Sequence, residues 1–194
     1  HDKLECKAGV TYSAYGEGPK PRILGSTEAD NATQWKETEC PGVYQYAYTI
    51  SARKDVGNIV FNDGECYGMR ILKDPKKNDM TLRAGDGDTV GNGISTWSFP
   101  VQSFSGYADI VKIAEKEPNS DLMYYHDHEA GKLYLYSREG NHGDRFESIE
   151  LCTHDNTIQA KSNVTIDNLC IKFTGSHGVG AGSCENLTVR NCEI

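Results

Sequence analysis

The chain has 194 residues, of which 37% are hydrophobic and 25% charged, a composition typical of soluble globular proteins. Its formal net charge of −8 opposes binding to a phosphate backbone, and no apolar run is long enough to span a membrane. These features exclude a nucleic-acid-binding protein and a membrane-spanning helix, and the polar opening "HDKLECKAG" does not form a secretory signal peptide.

Short runs of β-branched and aromatic residues follow one another along most of the chain. They include "VYQYAYTI", "GNIVFNDG", "YGMRIL" and "ESIEL", and Gly, Asn or Asp separates them. This pattern predicts β-strands joined by turns. A helical pattern is confined to "YADIVKIAEKEP", which ends at Pro118. The sequence therefore predicts an all-β fold with one short helix.

The segment "LMYYHDHEAGKLYLYS" predicts a β-hairpin with strands at Leu122–Tyr125 and Lys132–Ser137. It holds His126, Asp127 and His128 in a row, which suggests a metal site. Successive side chains of a strand point to opposite faces, so the Asp127 carboxylate would face away from both imidazoles. We therefore expect this stretch to form a solvated turn and to bind no metal.

A second candidate for metal binding is the acidic loop "AGDGDTVGNG", in which Asp86 and Asp88 resemble part of a calcium loop. Val90 stands where the next oxygen ligand is needed, and no Glu follows at the spacing that an EF-hand requires. We interpret the segment as an acidic loop without bound metal. No cofactor is established by the sequence, and calcium is the alternative that this loop leaves open.

The most informative feature is a nine-residue repeat near the end of the chain. The first copy, "NVTIDNLCI", covers residues 163–171, and the second, "NLTVRNCEI", covers residues 186–194, 23 positions later. In each copy two apolar residues alternate with polar ones, and the phase then slips by one residue next to Asn168 and Asn191. Since Asn tolerates the left-handed backbone of a sharp corner, each copy predicts two short strands around an Asn.

Strand, corner, strand, loop and strand within 23 residues is the pattern of one coil of a solenoid. Stacked coils would place Asn168 over Asn191 at the corner and Leu169 over Cys192 in the interior, with strands about 4.8 Å apart. An earlier partial coil is visible in "SIELCTHDNTIQAKS". We interpret the repeat as a consequence of stacking, in which each coil buries its inward face against the next.

The stretch "SNVTIDNLCIKFTGSHGVGAGSCENLTVRNCEI" resembles the right-handed parallel β-helix of the pectin-lyase-like superfamily, whose coils often carry an asparagine ladder. The opening "LECKAGVTYSAYGEGPKPRILGS" resembles the first coils of such proteins. Between them, "ATQWKETECPGVYQYAYTI" and "KLYLYS" look like the β-rich insertion of some bacterial carbohydrate-active β-helix enzymes. The resemblance implies a parallel β-helix with an inserted antiparallel, sandwich-like subdomain. The first coils would span residues 1–26, the insertion residues 27–147, and further, truncated coils residues 148–194.

Aromatic side chains of the predicted insertion are candidates for stacking on sugar rings. Tyr44, Tyr46 and Tyr48 alternate along one strand and so share a face. The competing and commoner interpretation is that they belong to the core. His177, set among glycines in "GSHGVGAG", either faces a groove or occupies a turn at a coil edge. The candidate glycan-binding residues are Trp35, Tyr44, Tyr46, Tyr48, Trp97 and His177.

Three functions are compatible with these features. The resemblance implies the N-terminal part of a bacterial carbohydrate-active protein, a polysaccharide lyase or glycoside hydrolase, at the cell surface or outside the cell. A non-catalytic module that binds glycan or a cell surface and a structural, adhesin-like solenoid are the alternatives. No carboxylate pair for a glycosidase and no base for a lyase can be assigned from the sequence. We expect the open last coil to associate with another chain or with further coils.

Overall fold

The computed structural model describes residues 1–51, 54–74, 79–84, 97–99, 106–116 and 121–194, and these form an all-β fold. The strands are β1 (Leu4–Glu5), β2 (Thr11–Ser13), β3 (Arg22–Leu24), β4 (Thr27–Glu28), β5 (Trp35–Glu37), β6 (Val43–Tyr46), β7 (Ile59–Phe61), β8 (Cys66–Tyr67), β9 (Met69–Asp74), β10 (Asp79–Ala84), β11 (Trp97–Phe99), β12 (Met123–Asp127), β13 (Lys132–Tyr136), β14 (Ile149–Leu151), β15 (Asn156–Gln159), β16 (Thr165–Asp167), β17 (Cys170–Lys172), β18 (His177–Gly180) and β19 (Thr188–Arg190). The helices are α1 (Ala108–Lys116) and α2 (His142–Arg145), and 3₁₀ turns lie at Ala32–Gln34 and Asn62–Gly64. Within these described ranges, no helix has the length and apolar character needed to cross a membrane.

The largest sheet, called here the large sheet, has seven strands in the order β11-β10-β9-β12-β13-β6-β5. It is mixed, because β12 pairs with β9 in parallel while the other neighbours are antiparallel. The predicted hairpin is confirmed by β12 and β13, which set His126 opposite Leu133. The expected solvated turn at His126 and Asp127 is wrong, because both residues belong to β12 and His126 is buried. A second sheet, called the antiparallel sheet, has the order β4-β14-β7-β8.

Both faces of the large sheet are buried where β6, β12 and β13 cross its centre. Because neighbouring residues of a strand point to opposite faces, Leu133 and Leu135 join one hydrophobic cluster and Tyr134 joins another. The first cluster, called the inter-sheet core, also contains Phe61 and Leu151 of the antiparallel sheet. The second cluster includes the apolar side of α1, the helix that the sequence predicts. Burial on both faces explains why "KLYLY" is almost continuously apolar.

The other three sheets are small and parallel, with the strand orders β1-β15-β18, β19-β16-β2 and β17-β3. The two copies of the repeat pair with each other, so that Ile166 lies opposite Val189 and Asp167 opposite Arg190. The Arg190 guanidinium also donates to Oδ2 of Asp167 at 2.9 Å. Equivalent residues of the two copies therefore lie side by side.

Asparagines occupy the corners of the repeat. Asn163, Asn168, Asn186 and Asn191 have φ angles of 59°, 55°, 52° and 54°, a left-handed conformation that most side chains avoid. The bends predicted at Asn168 and Asn191 are confirmed, and Asn163 and Asn186 add a second pair. The Nδ2 atom of Asn186 donates to Oδ1 of Asn163 at 2.9 Å, whereas Nδ2 of Asn191 donates to Oδ1 of Asp167 at 2.9 Å. The amide–amide ladder therefore joins Asn163 to Asn186.

The interior of the parallel sheets is apolar. Leu169 is buried with Ile166 and Ile171, and Cys192 is partly buried against the same cluster. All seven cysteines of the chain are free thiols. In the first copy the buried face of β16 at Ile166 favours one register, because a slip of one residue would turn Ile166 outward. The equivalent strand of the second copy, β19, is exposed at all three residues and takes its register from pairing with β16.

The resemblance to the pectin-lyase-like superfamily is wrong. Eleven of the 19 described strands belong to the two largest sheets, which are mixed and antiparallel. Short strands and left-handed Asn corners produced the resemblance, but these features are local and occur wherever short strands turn sharply. The described part of the chain is an all-β fold of five sheets. The domain boundaries after residues 26 and 147 stay predictions.

Helix α2 places His142 beside the inter-sheet core. Its side chain is fully buried, and its ring centroid lies 5.3 Å from those of Trp35 and Tyr44. Burial disfavours the charged imidazolium and lowers the pKa of His142 to about 4. His142 is therefore neutral at pH 7 and packs as an aromatic residue of the core.

Replacing Asn163 with Ala should destabilise the fold by about 1–2 kcal/mol, because Ala resists a left-handed backbone. Asn163→Gly is the matched control, since it loses the same hydrogen bond to Asn186 but adopts positive φ freely. The Gly variant should be the more stable of the two by about 1 kcal/mol in urea unfolding followed by circular dichroism. Equal losses in both variants would show that the backbone conformation of residue 163 is not what matters.

Acid should weaken the fold through His142. Between pH 6.5 and about 4 the unfolded chain binds a proton at this side chain that the folded chain does not, so stability falls as pH is lowered through that window. The loss is at most about 3 kcal/mol, and His142→Phe, which keeps an aromatic ring, should reduce it. Urea midpoints of both proteins at the two ends of the window measure the difference. The same pH dependence in wild type and variant would contradict a buried neutral His142.

Candidate functional sites: an aromatic cleft and an Asp–His–His cluster

A surface cleft of about 500 Å³ is lined by residues of β4, β6 and β14 and by the stretch that follows β6. Its size is in the range of sites for small ligands, about 300–1,000 Å³. Four hydroxyl side chains, one amide, one carboxylate and one ammonium group border it together with two tyrosines. The lining residues are Thr27, Glu28, Gln34, Tyr46, Tyr48, Thr49, Ile50, Ser51, Lys54, Leu151 and Thr153.

Only one of the tyrosines predicted to bind glycan is well exposed. Tyr44 and Tyr46 share a face, as their alternation predicts, but that face packs into the inter-sheet core. Trp35 is also a core residue, and its Nε1–H donates to the carbonyl oxygen of Ala29 at 2.7 Å. Tyr48 lies beyond the end of β6 and is 60% exposed, with its ring centroid 5.4 Å from that of Tyr46. Tyr48 therefore presents an aromatic surface to the cleft, backed by the ring of Tyr46.

The remaining predicted site residues lie elsewhere. His177 is exposed on β18, and its Nδ1 lies 3.0 Å from the hydroxyl of Ser176. Trp97 belongs to β11, opposite Leu82, and its side chain lies outside the described part of the chain. Asp86 and Asp88, the calcium candidates, also lie outside the described residues. Of these residues only His177 has a described side chain, and it does not line the cleft.

Two carboxylates of the antiparallel sheet differ in their surroundings. Glu28 on β4 lies opposite Glu150 on β14, so both side chains point to the same face of the sheet. Glu28 borders the cleft, and the nearby Asp30 carboxylate raises its pKa. Glu150 is buried, accepts a hydrogen bond from the Ser26 hydroxyl at 2.7 Å, and has a pKa raised by burial. Glu150 does not line the cleft, so Glu28 is the one carboxylate among the described lining residues.

A second cluster joins Asp55, just before β7, to the two histidines of the β12–β13 hairpin. His126 and His128 point to the same side, and their ring centroids are 4.1 Å apart. Asp127 points away, and its Oδ1 accepts a hydrogen bond from the backbone N–H of Ala130 at 3.0 Å. The predicted alternation is therefore confirmed. The carboxylate beside the imidazoles comes instead from Asp55, 71 positions before His126.

The oxygens of Asp55 are surrounded by cationic and imidazole nitrogens. Oδ1 lies 3.4 Å from Nδ1 of His126 and 3.1 Å from Nε2 of His128, and both oxygens lie 2.6 Å from the Arg70 guanidinium. Burial alone would raise the pKa of Asp55, but the hydrogen bonds from His126 and Arg70 and the Arg70 charge outweigh it and hold the pKa well below its usual range. The pKa of His128 is lowered, first by burial and then by the charge of His126.

The three side chains differ in their access to solvent. The His126 side chain is fully buried, and its Nε2 has no hydrogen-bond partner among the described residues. His128 and Asp55 are 46% and 40% exposed. An Asp oxygen and two imidazole nitrogens within 4.8 Å of one another are a donor set that can hold a metal ion. We expected the histidines to bind no metal because Asp127, the neighbouring carboxylate, points away from them. Asp55 lies 71 positions before His126, and no local sequence pattern indicates that the two residues meet.

No known protein family, no curated protein and no solved structure matches this chain. The chemistry and geometry of the cleft and of the Asp–His–His cluster are therefore the basis for assigning a function.

In metal-free protein kept in a chelator, Asp55→Asn should destabilise the fold by about 1–3 kcal/mol, because it leaves the Arg70 charge without a carboxylate. Arg70 is only 17% exposed, so water replaces the lost partner poorly. Asp63→Asn is the control, since the Arg22–Asp63 pair is 44% and 52% exposed and should be worth less than about 1 kcal/mol. Urea unfolding of both variants tests this, and equal costs would contradict a structural role for the Arg70–Asp55 pair.

Proposed function

We propose that this chain binds carbohydrate in the cleft beside Tyr48, as a non-catalytic glycan-binding domain of an extracellular or cell-surface protein. The observation that carries the proposal is the exposed ring of Tyr48 in a cleft that hydroxyl, amide and charged groups border together with the apolar side chains of Ile50 and Leu151. A sugar ring offers an apolar face of C–H groups and a rim of hydroxyls. The cleft offers a matching surface for both.

The polar lining supports recognition of hydroxyl groups in particular. The hydroxyl oxygens of Thr27 on β4 and Thr153, two residues after β14, lie 3.1 Å apart, and either can donate or accept. Gln34 adds an amide that both donates and accepts, and Lys54 adds a donor at the rim. Sugar hydroxyls are themselves donors and acceptors, so mixed partners of this kind satisfy them. A pocket with an aromatic wall and a few polar groups is typical of small-ligand sites.

Charge favours a neutral glycan over an acidic one. The chain carries a formal net charge of −8, and Glu28 borders the cleft. A uronate or sulfated chain would be repelled by this field, whereas a neutral sugar would not. Lys54 is the one cation among the described lining residues.

The cleft supports binding more than cleavage. Glycosidases with two catalytic carboxylates need both at the scissile bond, and Glu150 is buried away from the lining. A lyase needs a base and a second group to neutralise the uronate, and the described lining has a single cation. The lining of the cleft therefore supports a glycan-binding module, the alternative considered from the sequence, better than it supports lyase or hydrolase activity.

We also propose a finer description of the fold. The three parallel sheets would be the faces of short stacked coils, because the chain visits β1, β2 and β3 and later β15, β16 and β17 in the same order. Each later strand pairs in parallel with its earlier counterpart, Ile166 with Tyr12 and Ile171 with Ile23. All the residues that line the cleft, from Thr27 to Thr153, lie between these two passes in the sequence.

Tyr48→Ala should weaken binding of a neutral oligosaccharide at least about tenfold, because stacking on the ring is lost. Isothermal titration calorimetry with cello-, xylo- and mannohexaose would measure it. Tyr15→Ala is the matched control, since Tyr15 is fully exposed and does not line the cleft, and it should bind like wild type. Binding of none of these glycans, or equal weakening in both variants, would refute the cleft as a sugar site.

A further inference from the structure

We propose that Asp55, His126 and His128 bind one Zn²⁺ ion, with water in the remaining coordination position. The inference is independent of the carbohydrate proposal, because none of the three side chains lines the cleft. Two imidazoles and one carboxylate are ligands that zinc commonly takes in proteins. Calcium and magnesium prefer sites made of oxygen atoms, so the donor set argues against them.

The separations in the cluster match those between ligands of one tetrahedral ion. With metal–ligand bonds of about 2.0–2.2 Å, two ligands of such an ion lie about 3.2–3.6 Å apart. Oδ1 of Asp55 is 3.4 Å from Nδ1 of His126 and 3.1 Å from Nε2 of His128. The separation between the two imidazole nitrogens is at most 4.8 Å, and rotation of the half-exposed His128 side chain can shorten it.

A plain ion-pair network explains this arrangement less well. Arg70 already contacts both oxygens of Asp55 at 2.6 Å, so the carboxylate has a full partner without the histidines. The 3.4 Å hydrogen bond between His126 Nδ1 and Asp55 is long, although the His126 ring is fully buried with Nδ1 toward Asp55. A metal ion shared by the three side chains would account for that separation.

Arg70 would become an outer partner of the metal site. Oδ1 of Asp55 is the oxygen near both imidazoles, so Oδ2 can keep its 2.6 Å contact with Arg70 while Oδ1 binds the ion. Hydrogen bonds to the far oxygen of a ligating carboxylate orient it and are a regular feature of metal sites. The hairpin turn that carries His128 is fixed by the Ala130–Asp127 hydrogen bond and by the bond from Ile50 N–H to the carbonyl oxygen of Gly131 at 2.9 Å. The backbone of the turn is thus held before the ion arrives, and the His128 side chain has only to rotate toward the ion.

The test uses residues 1–194 dialysed against a chelator, then titrated with ZnCl₂ by calorimetry and with CoCl₂ by visible absorption. We expect one ion per chain and the intense visible bands of four-coordinate Co²⁺ without a thiolate charge-transfer band, since no cysteine belongs to the site. His128→Ala should weaken binding at least about 100-fold, because losing a ligand costs no less than losing an outer partner. His177→Ala removes an exposed histidine elsewhere and should bind like wild type.

Circular dichroism of each variant distinguishes loss of the site from loss of the fold. Asp55→Asn is the second ligand variant, since its amide has one oxygen where the carboxylate has two. The imidazole ¹⁵N shifts of wild-type His126 and His128 on adding Zn²⁺ give a readout that needs no substitution. Failure to bind Zn²⁺ or Co²⁺ would overturn the proposal. Stoichiometric binding that His128→Ala leaves unchanged, or a thiolate band in the Co²⁺ spectrum, would assign the ion to other residues and overturn it equally.

Discussion

Packing of the large sheet against the antiparallel sheet is the interaction on which the rest of the structure depends. The side chains that meet there are almost wholly excluded from solvent, among them Tyr124, Leu133, Leu135, Ile59, Phe61, Ile149 and Leu151. Tyr46, Ile50 and Leu151 belong to this inter-sheet core and also line the cleft. The same core holds Val56, so Asp55 is anchored beside the hairpin by its neighbour in the chain. A substitution that opened the core would therefore disturb both candidate sites at once.

Left-handed asparagine corners impose a second constraint, which acts on the parallel sheets. A short strand that turns sharply needs a residue that accepts positive φ without the entropy cost of Gly, and Asn meets that need. Because the two copies of the repeat turn at equivalent residues, their strands stay in register and Asn163 can bond to Asn186. The backbone preference of Asn and the Asn163–Asn186 hydrogen bond thus favour the same pairing of the two copies. Agreement of this kind between local and long-range interactions helps a sequence to specify one fold.

Features set by local preference could be predicted from the sequence, and features set by long-range packing could not. The hairpin of β12 and β13, the helix over Ala108–Lys116 and the corners at Asn168 and Asn191 follow from periodicity and turn chemistry over a few residues. Alternation also gave the shared face of Tyr44 and Tyr46 but not the direction of that face, which depends on where the second sheet packs. Asp55 could not be paired with His126, because chain folding over 71 positions brings them together. The family resemblance failed for the same reason, since local motifs do not determine how sheets assemble.

The central claim is that the inter-sheet core builds a sugar-binding cleft at the end of β6. The most direct measurement is a ¹H–¹⁵N NMR titration of the assigned protein with a neutral hexasaccharide. The account predicts that saturable shifts concentrate on the backbone amides of Tyr48, Thr49, Ser51 and Thr153, which border the cleft. Shifts that cluster instead along the parallel sheets, around His177 and Asn191, or no shifts at all, would contradict it.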